Sequence, residues 1–203
     1  ISHDGTMDKQ GWSVETNMKR DEDVTDENNN HGVHENPSVN KVIDGDSDSV
    51  FTGKKPNNAD GHVIINMNAT QPIVGFRYKK PTDNAMTGYE VYVSTDKENW
   101  TLANTGTFDA SKDGETIYFN KEGSDGGKQL WAYNAAYVKI VAKGSQTVSI
   151  PEIDIIAPPG DNIEIGTRDA LYKDGIGTLK SDFVYDKVRG EKIPQGSLII
   201  TGS

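Results

Sequence analysis

Cysteine is absent from the 203-residue chain. No disulfide framework, cysteine zinc knuckle or thiol nucleophile is therefore available. The chain also lacks a run of about 18 consecutive apolar residues, the length that spans a bilayer as a helix. No secretory signal is visible, and the chain opens at Ile1 rather than Met, so it is read as a piece of a longer protein. Positive charge is in deficit. Twenty-one Lys and Arg face 31 Asp and Glu, for a net charge of −10, which argues against nucleic acid and anionic membranes as partners. Hydrophobic residues make up only 33%, and helical periodicity is nearly missing. So are the HExxH motif, the nucleophile elbow and the phosphate-cradling glycine loop. "GSDGGK" (123–128) is glycine-rich but has neither the P-loop spacing nor a following helix. No catalytic role is assigned to the chain.

What is present is turn chemistry and alternation. Glycine occurs 21 times. "HVIINM" (62–67) and "GYEVYVST" (88–95) alternate apolar and polar residues. "IVGFRY" (73–78), "ETIYF" (115–119), "YVKIVA" (137–142) and "EIDII" (152–156) continue the pattern. Short alternating runs between turns predict antiparallel strands with one buried face, in a sandwich or barrel. In "STDKENWT" (94–101), Asp96 and Asn99 can bond their own backbone while Trp100 anchors the returning strand. Asn68-Ala69-Thr70 and Asn99-Trp100-Thr101 match the N-glycosylation triplet, which is common by chance.

The stretch 19–37 is polar, acidic and aperiodic, hence a long loop. His31 and His34 lie near Glu27 and Glu35 there, but neither sits on a helix, and a solvated loop is favoured over a zinc site. "APPGDN" (157–162) marks a boundary. The organisation expected is a first domain over 1–157, a linker at 158–162 and a partial or small β module over 163–203. That last segment is short for a core of its own, which is hard to build below about 40–50 residues.

"DGDSDS" (44–49) places Asp44, Asp46 and Asp48 on alternate positions, like the start of an EF-hand loop. That loop also needs Gly at its sixth position and Glu at its twelfth. Here those are Ser49 and Lys55, and lysine cannot close the shell.

"GWSVE" (11–15), "SVNKVIDGD" (38–46), "VGFRYKKP" (74–81), "TGYEVYVSTDKENWT" (87–101), "AAYVKIVA" (135–142) and "IPEIDII" (150–156) together resemble, in order, the signature segments of the discoidin domain. This is the coagulation factor V/VIII C-type fold, whose bacterial branch is carbohydrate-binding module family 32. The resemblance spans about residues 8–157. It implies an all-β, discoidin-like jelly-roll sandwich of roughly eight strands with sugar-binding loops at one end. It also implies a structural Ca2+ held by the side chains of Asp44 and Glu152, the carbonyl of Asp46, the hydroxyl and carbonyl of Ser49, and backbone carbonyls near Lys41 and Ile150. Calcium takes roughly six to eight oxygens of such mixed origin.

A hexose needs an aromatic ring for its C–H face and fixed groups for its hydroxyls. The resemblance implies a Trp-His pair, an Arg, an Asn and a late aromatic. Phe51 and Thr52 stand at the pair, and Phe51 is expected to be buried. Lys79, Lys80 and Pro81 stand in the Arg region. The loop 143–152 has no aromatic ring. The candidate ligand residues are Thr52, Lys79, Lys80, Asn84 and Trp131, the last either a substitute stacking platform or a core or hinge residue.

The function expected from the resemblance is a non-catalytic module tethering a secreted bacterial enzyme to host or mucin-type glycans. The parent would be a multimodular glycoside hydrolase or mucin-degrading metallopeptidase, extracellular, of a Gram-positive bacterium. "IPQGSLIITGS" (193–203) resembles connecting β modules of such enzymes. Partners would be terminal galactose, N-acetylgalactosamine or N-acetylglucosamine, and neighbouring modules. The alternative is a spacer or protein-docking discoidin domain that binds no sugar. Phosphatidylserine binding, known in the clotting-factor branch, is disfavoured by the charge.

Overall fold

The computed structural model describes residues 5–19, 37–121, 123, 129–158 and 184–185. The 19–37 loop, with His31 and His34, lies almost entirely outside them, as does 163–203 apart from two residues. The elements are β1 (Ser13–Thr16), a 3-10 helix (Pro37–Ile43), β2 (Phe51–Lys54), β3 (Gly61–Ile73), β4 (Gly75–Tyr78), β5 (Gly88–Ser94), β6 (Thr101–Thr107), β7 (Thr116–Tyr118), β8 (Trp131–Lys143), β9 (Thr147–Ile150), β10 (Ile153–Ile156) and β11 (Val184–Tyr185). The expected all-β sandwich is what forms.

One sheet has the order β1-β3-β8-β5-β6, with β11 alongside β8; a second is β10-β4-β7 and a third is β2-β9. Every pairing is antiparallel except β11 with β8, where Val184 lies opposite Trp131. The alternation seen in the sequence becomes two faces. Val63, Ile65 and Met67 of β3, Val91 and Val93 of β5, and Val138 and Ile140 of β8 point inward. They meet Phe76, Ile153, Ile155, Phe51, Val148 and Ile150 of the smaller sheets in one core cluster. Val39 and Val42 bring the 3-10 helix onto the same core. Gly75 allows β4 and β7 to close up, because a Cβ there would sit 2.6 Å from the carbonyl oxygen of Ile117. The β3–β8 register slips between Asn66 and Gln71. Asn68 is left-handed there (φ 60°), and its N–H donates to Asn66 Oδ1 at 2.8 Å.

The turn at Asp96 is the one its residues foretell. Asp96 Oδ1 accepts the N–H groups of Glu98 and Asn99, each at 2.8 Å. Those bonds hold its carboxyl below the usual carboxylate range, with the Asn99 N–H contributing most. Beyond the turn, the outer sheet face carries Lys139, whose Nζ lies 4.5 Å from the Trp100 ring centre and 5.3 Å from that of Tyr92.

His62 shares that face. Burial, reinforced by Lys139 and opposed by Glu15, lowers its imidazole from 6.5 to about 4. The unfolded chain then binds a proton between those two values where the folded chain does not. Stability therefore falls as pH drops from 6.5 towards 4. His62→Gln should narrow the difference between unfolding midpoints at neutral and mildly acidic pH; an unchanged difference would assign the acid sensitivity to other groups.

Candidate functional site

Three chain segments converge at one end of the sandwich: the start of β2, the residues 79–87 between β4 and β5, and the residues 108–115 between β6 and β7. The middle segment has two flanks. On one, Thr52 pairs with Ser149 across β2 and β9, and their hydroxyl oxygens lie 2.9 Å apart. The N–H of Ser149 donates to the carbonyl of Asn84 at 2.9 Å. Thr52 and Asn84, far apart in sequence, are thus brought together, joined by Ser149, which the sequence reading missed. Asn84 is exposed and left-handed (φ 56°).

Lys79 and Lys80 face the other flank. Lys79 Nζ donates to Asp113 Oδ2 at 3.1 Å, the Lys80 N–H to Asp113 Oδ1 at 2.8 Å, and Lys80 Nζ to the Ala110 carbonyl at 2.5 Å. The candidate set therefore splits across the 79–87 segment.

Trp131 joins neither flank as a stacking surface. It is 5% exposed, with Lys121 Nζ 4.8 Å from its ring centre. It is buried like its neighbours, because the first half of β8 is buried on both faces. Phe51 is fully buried, as expected.

Between 79–87 and 108–115 lies a shallow cleft of about 80 Å3, open to solvent. Its floor is Tyr78, Met86 and the half-buried Phe108. The Phe108 ring centre lies 4.8 Å from that of Tyr89 and 5.0 Å from that of Tyr78. Nothing in "GTFDASKDGE" announces this position, since a lone aromatic in a polar turn carries no periodicity.

The Thr52 flank is tied to the middle segment by the buried Tyr78 hydroxyl. It donates to the Ser149 carbonyl at 2.6 Å and accepts the Met86 N–H at 3.0 Å. Burial pushes its ionisation well above the usual tyrosine value, so it remains a neutral donor and acceptor.

The acidic loop docks on β10. The Gly45 N–H donates to Glu152 Oε1 at 3.0 Å and Oε2 at 3.2 Å. Asp44 Oδ1 accepts the Asp46 N–H, Asp46 Oδ1 accepts the Asp48 N–H, and the Asp46 carbonyl accepts the Ser49 N–H. Glu152 is 7% exposed. Burial raises its carboxyl above the ordinary value, against the pull of Lys9 and the Gly45 N–H. Lys9 Nζ bonds Glu152 and, at 2.6 Å, Asp154 Oδ1.

Among the described residues no group of three or more His, Asp or Glu side chains gathers as a metal site. Asp44, Asp46, Ser49 and Glu152 offer oxygen donors, the class a hard cation takes, and Glu152 here is engaged by Lys9 Nζ and the Gly45 N–H. A buried carboxylate lies beside the backbone between Asp44 and Asp46, at the open C-terminal end of the 3-10 helix that carries Lys41.

The F5/8 type C domain model matches residues 22–153. Among solved structures, the chain is similar to CpGH89CBM32-5 from Clostridium perfringens, solved in complex with GalNAc-β-1,3-galactose. Identity is 22% and the TM-score 0.53, covering 72% of this chain and 95% of that one. The family 32 module of Clostridium perfringens NanJ, in complex with galactose, matches at 15% identity and TM-score 0.55, covering 74% and 97%. CBM32-3 from a family 31 glycoside hydrolase of Clostridium perfringens matches at 16% and 0.56, covering 77% and 97%. No match is found among curated proteins.

Tyr78→Phe should lower unfolding free energy by about 1–3 kcal/mol, since it strands the buried Met86 N–H and Ser149 carbonyl. Urea unfolding measures this, and faster amide exchange should concentrate at Met86.

Proposed function

Because the chain belongs to the F5/8 type C domain family, we propose that it is a non-catalytic carbohydrate-binding module carrying a structural calcium. The observation that carries this reading is the convergence of three polar chain segments at one end of a discoidin-type sandwich. Family 32 modules share the fold, and two of them were solved with galactose or a galactose-containing disaccharide. Terminal galactose, N-acetylgalactosamine or N-acetylglucosamine is the ligand class that follows. The setting is an extracellular, multimodular bacterial protein, a glycoside hydrolase or mucin-degrading metallopeptidase. One weak site suffices in such a protein, because tethering raises the effective concentration of a linked enzyme at its substrate.

Asp44, Asp46, Ser49, Glu152 and backbone carbonyls near Lys41 and Ile150 would hold the calcium. When bound, the ion would add positive charge beside Glu152, which Lys9 already partners, and would strengthen the junction of the acidic loop with β10. Calcium should raise the unfolding midpoint and a chelator should lower it, because the unfolded chain has no preformed site. Glu152→Gln should abolish that response. An unchanged wild-type midpoint on adding calcium or chelator would remove the metal from the proposal.

The second reading is a spacer or docking domain, favoured by the burial of Trp131 and Phe51. A glycan array probed with the calcium-loaded chain separates the two. Retention on galactose- or N-acetylhexosamine-terminated glycans supports the module, and a blank from folded protein supports the spacer.

A further inference from the structure

The reading as a glycan-binding module leaves open where the sugar ring stacks. On the Thr52 flank, Thr52 is engaged by Ser149 and Phe51 is fully buried. The exposed large apolar side chain there is Val50, which offers no ring. A pyranose would find hydroxyl partners on this flank but, among the described residues, no aromatic face.

The opposite flank has the complementary surface. Phe108 is half-buried, backed by Tyr78 and Tyr89, and forms the floor of the cleft with Met86. A ring braced by two others loses little freedom when a ligand lands on it. Polar groups lie at its edge. Lys112 Nζ is 3.5 Å from Glu115 Oε2 and 3.9 Å from Asp109 Oδ2. Such exposed pairs contribute little to stability, so these groups can exchange one another for sugar hydroxyls at low cost. Ala85 and Met86 line the same cleft beside Phe108, where an apolar appendage on the sugar would meet them.

We infer that the module binds its sugar in the Phe108 cleft, with the pyranose C–H face on Phe108 and a 2-acetamido methyl group against Ala85 and Met86. This inference rests on the carbohydrate-binding reading. It names a site apart from Thr52 and Asn84, and it favours N-acetylhexosamines over the parent hexoses.

The test is a nitrogen-15 amide-shift titration of the whole chain with N-acetylgalactosamine and with galactose. Shifts should appear at Thr87, Phe108 and Ala110. N-acetylgalactosamine should bind about fourfold more tightly, the worth of burying one methyl group. Phe108→Ala should weaken binding about tenfold through the lost stacking face. Phe108 also packs on the core, so Ala110→Trp, an exposed position at the mouth, provides a second variant and should block entry without unfolding. Shifts confined to Thr52, Asn84 and Ser149, or full binding by Ala110→Trp, would overturn the cleft and leave the carbohydrate reading standing. Equal affinity for the two sugars would overturn the acetamido assignment. No shift with either sugar, together with a blank array, would overturn both.

Discussion

One buried hydroxyl fixes the functional end of this molecule. Tyr78 sits at the last position of β4, where the chain leaves the sheet. Its oxygen serves Ser149 on β9 and Met86 on the 79–87 segment at once. Neither partner could be left in an apolar interior without cost. The strand end, the β2–β9 pair and the intervening loop therefore behave as one unit. Lys79 and Lys80 then reach 108–115 because Tyr78 has set the path of the chain that follows it. The polar site and the apolar cleft are two sides of a single segment held from beneath.

A second constraint operates around Glu152. This carboxylate is buried beside the Gly45 N–H, and Lys9 neutralises it from the N-terminal side while also serving Asp154. Arg77 approaches Asp154 from β4, with Nη1 3.8 Å from Oδ2, and donates to Thr6 and Thr116. Three distant parts of the chain meet in a network whose charges depend on one another. Removing one partner of such a group costs more than the pair itself contributes. The exposed carboxylates of Asp44, Asp46 and Asp48 lie along the same loop and leave the region short of positive charge.

The sequence disclosed strands where one face meets water and the other meets the core. β3, β5, β10 and the second half of β8 alternate, so their inward residues could be named in advance. The first half of β8, "WAYNAA", is buried on both sides and has no alternation to read. β2 and β9 have four residues each, too few to set a period. The 3-10 helix over 37–43 escaped because its apolar positions, Val39 and Val42, span a single turn. That Thr52 and Asn84 are candidates could be read from their place in recognisable segments. Phe108 was not, because its meaning comes from two rings distant in sequence. Trp131 was ambiguous because its setting beside a glycine-rich stretch resembles a surface loop as much as a strand start.

The placement of the three tryptophans has a practical side. Trp12 packs at the edge of the core, Trp131 lies beneath Lys121, and Trp100 lies against Lys139 on the outer sheet face. Trp100 precedes β6 and Phe108 of the cleft follows it, about 26 Å away at about 3.3 Å per residue of extended strand. None of the three lines the cleft, so the intrinsic indole emission of this protein is first of all a gauge of whether the sandwich is folded.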